Sequence, residues 1–347
     1  MTPTTPKCRL CKKNDANQTG SHILTAWLVA SVYTKGEKKR DNEIMFEMAP
    51  FDSNLPFIGR NVSPDTIEEH LGRALTDEEI KNQENKLVLD NLLCTNCEKR
   101  FQVIEDEYLN KVHKDLEKLE CNDPITIDSS HSYTIRLFFL SQVWRASASN
   151  ILNFSLDPKF EERIRLILDE ILDLKIKDTL KKANDKSKMF TEIPICIIKS
   201  SKDIIPTSKP IMFSPTSNKP YFGIINDYAI MLYEKESHTR STPHDFYGIG
   251  KYFKKEWINL KEEKFQFGFL NINSWDRVKN KFVDAAAKQR LNNLITLFKA
   301  MHEHKFKKKP SQETVQKFIN SALNNDLKLG VKYLKGNLLK AMNDSLK

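Results

Sequence analysis

From Glu98 onward, apolar residues return at spacings of three and four. Phe101, Ile104, Tyr108, Val112 and Leu116 fall on one face, which predicts an amphipathic helix. Residues 133–154 are nearly all apolar and predict a buried helix. Residues 159–174 carry Ile164, Ile167, Leu168, Ile171 and Leu172 on one side and predict a second amphipathic helix. The polar stretch 175–188 reads as an extension and linker. Between 191 and 235, and again at 264–272, short β-prone runs are broken by Pro, Gly and Ser. Residues 275–303 and 311–342 return to helical spacing, with KFKKKP at 305–310 breaking the pattern between them.

The first hundred residues are less regular. Residues 22–33 suggest a strand or buried turn entering a short helix, and residues 34–62 look irregular. Ser63 with Pro64 has the form of a helix start, and Thr76 followed by Glu79 has capping-box spacing. Residues 84–93 suggest a short strand or loop. Together these patterns predict an α+β chain in three stretches: a module over 1–125, a mainly helical connector over 126–190, and a mixed α+β region over 191–347 ending in basic helices.

The formal charge is +9, from 55 basic and 46 acidic residues, and it is unevenly placed. Residues 288–347 hold thirteen Lys or Arg against four Asp or Glu, so the surplus lies at the C-terminal end. Such a region suits a polyanion, and Lys305, Lys307, Lys308 and Lys309, beside His302 and His304, could meet phosphates without reading bases. A solvated linker between helices is the competing reading. No run reaches the length of an apolar membrane span, and the first residues have no apolar stretch like that of a secretory signal. A cytoplasmic location with no membrane partner is therefore expected. No phosphate-binding glycine loop is present, which removes support for nucleotide hydrolysis.

Four of the six cysteines form two pairs, CRLC at 8–11 and CTNC at 94–97. Two intervening residues let both thiolates of a pair reach one tetrahedral ion, and zinc takes four such ligands at about 2.3 Å. Cys8, Cys11, Cys94 and Cys97 are therefore expected to hold one structural zinc that ties together segments 82 residues apart. Such a closed site does not catalyse. Cys121 and Cys196 read as ordinary buried residues. Arg145 stands in an apolar helix and needs an acidic or carbonyl partner that the sequence does not identify.

With CRLC, the run SHIL at 21–24 and the run LLCTNCE at 92–98 in place, the chain resembles the HNH endonuclease family. It is most similar to bacterial HNH-like proteins carrying a four-cysteine clip and a glutamate eight positions past the last cysteine, here Glu105. The segment FFLSQVWRAS at 138–147 resembles a stretch that follows in such proteins. The resemblance covers about residues 8–150. It implies a ββα-metal module in the first stretch, with one catalytic divalent cation, Mg²⁺ or Mn²⁺, besides the structural zinc. His22 matches the family's general base. Glu98 stands where a metal-binding residue follows the last cysteine, and the family asparagine corresponds to Asn91 or Asp90. The family motif has a proline where Thr25 stands, and Ser21 stands where many members have a metal-binding acid or histidine.

The chemistry agrees with those roles. Hydrolysing a phosphodiester needs a base that titrates near neutrality and a cation on the phosphoryl oxygens, and histidine and carboxylate supply both needs. The expected function is metal-dependent cleavage of DNA, with an anti-phage role implied only by resemblance. The region past 126 would bind substrate, sense a trigger or contact a protein partner. The alternatives are a non-catalytic zinc module that binds nucleic acid and a protein-interaction component. Each residue also has a simpler role: His22 as a half-buried histidine, Glu98 as a helix-end charge, and Asp90 and Asn91 as turn residues.

Overall fold

The computed structural model describes residues 5–28, 44–46, 56–58, 74, 87–152, 154–201, 211–214, 219–241, 246–260, 264–328 and 335–345. The expected helix starts at Ser63 and Thr76 lie outside these residues. The fold is α+β, as the patterns predict. Its residues fall into two compact units, 1–32 with 86–282, and 33–85 with 283–347.

In the larger unit, β1 (Ser21–His22) pairs antiparallel with β4 (Val88–Leu89), in the register Ser21 to Leu89 and His22 to Val88. Helix α1 (Thr95–Tyr108) follows directly, passes into a π-helical turn at Leu109–His113 and ends at Lys114–Leu116. The five apolar positions of the predicted face are all buried. At the π turn, the extra residue per turn brings His113 inward. Its Nδ1 lies 2.6 Å from the Tyr228 hydroxyl and its Nε2 3.2 Å from Glu117.

Next come β5 (Ile125–Ser129), α2 (Ser132–Ser149), α3 (Pro158–Ile171) and α4 (Ile176–Asp185). Helix α2 is buried on nearly every face, which explains its almost continuous apolar sequence, and it stops where Asn150 takes φ 59°. Asp157 caps α3, accepting from the amides of Lys159 (3.0 Å) and Phe160 (3.4 Å), with Pro158 in the first turn. The expected linker over 175–188 is instead helix α4. Its short apolar face, Thr179 and Ala183, is buried, and the Lys182 ammonium pairs with Asp173 at 2.8 Å.

Strand β5 crosses the expected module border at 125/126, and its alternation was hidden by Thr, Asp and Ser. It is the edge of a seven-stranded sheet with β6 (Ile195–Ser200), β7 (Ile211–Phe213), β8 (Tyr221–Ile225), β9 (Tyr228–Leu232), β10 (Ile258–Asn259) and β11 (Phe265–Leu270). The path is β5-β11-β6-β9-β8-β7, with β10 paired to β6. Among the described strands, only β11 and β6 run parallel. Asn259, fully buried, fills the junction where β10 gives way to β11. Its amide donates to the carbonyls of Trp257 (3.0 Å) and Gln266 (2.9 Å), and its Oδ1 accepts from the Gln266 amide at 2.6 Å.

Strand alternation sends Tyr228 toward the helices, where its ring lies 5.4 Å from Phe139 and 6.4 Å from Tyr108. The opposite face carries Cys196, Ile198, Phe222, Ile224, Met231 and Trp257 in one apolar cluster. Both faces are thus covered, consistent with strands that are apolar throughout. Gly268 belongs to this packing, since a Cβ there would stand 2.5 Å from the Trp257 ring.

The long helix α5 (Ile272–Phe306) leads out of the larger unit. The smaller unit contains the short antiparallel pair β2 (Ile44–Phe46) and β3 (Pro56–Ile58), within the stretch expected to be irregular, and helices α6 (Gln312–Lys328) and α7 (Lys335–Ser345). Its buried cluster joins Leu294, Phe298, Phe318, Ala322, Ala341 and Met342. Among the described residues, no helix is long and apolar enough to cross a membrane.

Candidate metal centre and the residues beside it

The two CxxC pairs meet. The sulfurs of Cys8, Cys11, Cys94 and Cys97 all lie within 4.8 Å of one another, and only Cys11 is part-exposed. Four thiolates on a tetrahedral zinc stand about 3.8 Å apart for bonds of about 2.3 Å, so this donor set and spacing can bind a zinc ion. The first pair lies on a tight turn in which the Lys12 amide donates to the Cys8 carbonyl (2.9 Å) and Lys12 takes φ 55°. The second pair begins α1, with Cys94 at its N-cap. Because the Cys94 thiol faces the cluster, Asn17 does the capping from another segment, its Oδ1 accepting from the Thr95 amide at 3.1 Å.

Crowded thiols share protons unequally. A hydrogen bond with Cys97 holds the Cys8 thiol down at about 4. The same contact, together with burial, pushes Cys97 up. Side-chain N–H donors also approach the sulfurs, Asn14 Nδ2 on Cys94 and Arg100 on Cys97, each at 3.7 Å. The Arg100 guanidinium also donates to the carbonyls of Leu172 (2.8 Å), Leu168 (3.4 Å) and Asp169, and pairs with the Asp169 carboxylate at 3.0 Å. It therefore closes the C-terminal end of α3 while touching the cluster. Arg165 reaches back from α3 to the Leu10 carbonyl, and Arg9 to the Ala148 carbonyl at 3.3 Å.

Joining these ends brings β1 against the first turn of α1. Ser21 is fully buried, and its hydroxyl faces the Glu98 carboxyl closely enough to draw that group's pKa down, though not at hydrogen-bond length. Ser21 Oγ and Glu98 Oε2 are both buried with no hydrogen-bond partner. Burial raises the Glu98 carboxyl above its ordinary value, Arg145 opposes that shift, and Glu105 adds to it. Arg145, 1% exposed, pairs with Glu105, donates to the His22 carbonyl (3.1 Å), and lies 4.9 Å from the centre of the Phe101 ring. This supplies the acidic and carbonyl partners that a buried arginine requires.

The expected site residues therefore divide. Ser21, Glu98, Glu105 and the backbone of the half-buried His22 come together around Arg145. Asp90 and Asn91 are exposed and serve the turn before the second cysteine pair. The Asp90 carboxylate accepts from the Gly20 amide at 2.7 Å, and Asn91 takes φ 59° with its amide on the Gln18 carbonyl at 2.9 Å. Gln142, Asn17 and Arg100 had no sequence signal, because a polar side chain aimed at backbone carries no spacing pattern. Cys196 is fully buried and Cys121 is part-buried; both stand apart from the cluster, as expected. No family model matches the chain, and no curated protein or solved structure matches it.

Proposed function

We propose that the chain is a metal-dependent, HNH-type endonuclease that hydrolyses phosphodiester bonds in DNA, in the cytoplasm and in defence against phage. The supporting observation is the placement of Ser21 beside Glu98, with two buried oxygens, Ser21 Oγ and Glu98 Oε2, left without hydrogen-bond partners, and of the His22 carbonyl on Arg145. Oxygen donors of this kind suit Mg²⁺ or Mn²⁺. Glu98, with Ser21 beside it, would hold that cation, and the four cysteines would hold zinc. When bound, the divalent cation would supply charge stabilisation at the phosphoryl oxygens and the leaving oxygen.

The remaining roles belong to this chain's own side chains. The His22 imidazole takes a proton from the water that attacks phosphorus; a new P–O bond forms as the bond to the leaving deoxyribose oxygen breaks, and that oxygen takes up a proton from solvent. Glu98 must be ionised to attract a cation. Burial works against that, and the Arg145 charge works for it.

A second reading, a zinc-held module that binds nucleic acid without cutting it, draws on the complete burial of Ser21 and on the exposed Lys305, Lys307, Lys308 and Lys309. The deciding experiment titrates Mg²⁺ and Mn²⁺ against the single-turnover cleavage rate of plasmid DNA. Glu98→Gln is expected to move the half-saturating metal concentration at least tenfold upward and to recover part of its rate at high metal. A folded wild type that cuts nothing at any metal concentration would leave the second reading in place.

A further inference from the structure

The peptide backbone around His22 is held from one side by helix α2. Once β1 leaves its pairing with β4, its backbone groups enter the interior and need partners. The Ile23 amide donates to the Leu87 carbonyl at 2.8 Å. The other two bonds come from side chains one helical turn apart on α2. Arg145 donates to the His22 carbonyl at 3.1 Å, and Gln142 Oε1 accepts from the Thr25 amide at 2.9 Å. Gln142 is fully buried and is itself oriented, since its Nε2 donates to Ser141 Oγ at 3.1 Å, and that hydroxyl donates to the Phe138 carbonyl at 2.6 Å. Arg145 is oriented by Glu105 and by the Phe101 ring.

We infer that Gln142 and Arg145 form a two-point clamp that fixes the His22 peptide relative to Glu98, and that they are positioning residues for the proposed cleavage. Two side chains at i and i+3 project from the same helix face, so the clamp moves as a rigid unit with α2. They grip backbone on either side of Ile23 and Leu24, whose side chains are fully buried, so the segment is held by packing and by hydrogen bonds at once. Arg145 connects the two halves of the site, because it holds the His22 carbonyl while pairing with Glu105 on the helix that carries Glu98. This clamp would account for why a buried helix 120 residues along the chain carries polar side chains on the face toward β1.

The catalytic part of this inference rests on the nuclease reading, whereas the clamp itself does not. The test therefore uses two readouts on the full chain loaded with zinc. The first is the His22 imidazole resonance in histidine-labelled protein, assigned with His22→Ala and followed through a pH titration. The second is single-turnover plasmid cleavage with Mg²⁺, alongside DNA affinity. The variants are Gln142→Leu, which removes the acceptor, Gln142→Glu, which keeps an acceptor oxygen, and Arg145→Lys.

Gln142→Leu and Arg145→Lys are expected to shift or split the His22 resonance while the His131 and His304 resonances stay in place. Cleavage should fall tenfold to a hundredfold with DNA affinity unchanged, as about an ångström of misplacement can cost a hundredfold. Gln142→Glu should restore both signals. An unchanged His22 resonance in folded Gln142→Leu protein would overturn the clamp, whether or not the wild type cleaves. A shifted resonance with undiminished cleavage would overturn the positioning role. If the wild type does not cleave, the nuclease reading and the positioning role fall together, and the resonance alone decides the clamp.

Discussion

Glu162 accepts from Arg165 at 2.9 Å and from Lys12 at 2.8 Å, so a single carboxylate links α3 to the turn carrying Cys11. Arg165, then Lys12, hold its pKa down at about 2. A carboxyl depressed on folding stabilises the folded chain above the unfolded carboxylate range, near about pH 4.3, and loses that contribution as pH falls toward the folded value. The group is exposed, so its worth is within about 1 kcal/mol. Glu162→Gln is expected to lower the melting temperature slightly at pH 7 and low salt, with the gap to wild type closing as pH falls below about 4. Equal melting temperatures at pH 7 would show that solvent screening cancels the pair. Legibility at this scale followed chemistry with few partners. The cysteines could be read from spacing because only sulfur geometry was at stake. Arg145 could be recognised as needing a partner, but Glu105 and the His22 carbonyl become neighbours only through the tertiary fold.

Helices α1 and α3 meet through Arg100, which donates to the last carbonyls of α3 and to the Cys97 sulfur. The Leu168 carbonyl also accepts from the Leu172 amide at 3.0 Å, so the guanidinium adds to the bonds at this helix end and complements the helix dipole while standing beside the cysteine sulfurs. Arg100→Met keeps much of the side-chain volume and removes the donors. It is expected to destabilise the fold by about 2–4 kcal/mol, since buried carbonyls and Asp169 lose their partner. Zinc release to a competing chelator should become faster. Cys94→Ala should bind no zinc, as elemental analysis would show; full occupancy in that variant would remove Cys94 from the site. The long elements were legible because each buries a continuous apolar face, as with Phe101 to Leu116 on α1 and Ile164 to Leu172 on α3. Helix α4 and strand β5 were not, since α4 buries only Thr179 and Ala183 and β5, at the sheet edge, leaves every residue at least part-exposed. The π turn at Leu109–His113 left no mark in the periodicity, because Val112 stays buried through it.

Residues 288–347 hold thirteen Lys or Arg against four Asp or Glu, and within them Lys305, Lys307, Lys308 and Lys309 are exposed around the end of α5. His302, by contrast, is buried; its Nδ1 lies 3.1 Å from the Lys308 carbonyl, and its ring 4.6 Å from Phe306, so it shapes the turn. Replacing the four lysines by Gln should weaken DNA binding at every sequence and reduce the slope of log affinity against log salt by up to about 3–4 units if all four meet phosphates. Superimposable salt plots would identify this run as a solvated turn. The antiparallel pair of β2 and β3 could not be read along the chain, because each strand is only three residues long.

The central claim concerns His22, which would act in the transition state and contribute little to ground-state contacts. The direct test compares single-turnover DNA cleavage by wild type and His22→Ala across a Mg²⁺ titration, with zinc content, folding and DNA affinity measured on the same preparations. The rate should fall by about 10²–10⁴-fold, with those three properties retained, and added metal should not recover it, because the missing element is a proton acceptor. An unchanged rate in folded, zinc-loaded His22→Ala protein would contradict the mechanism.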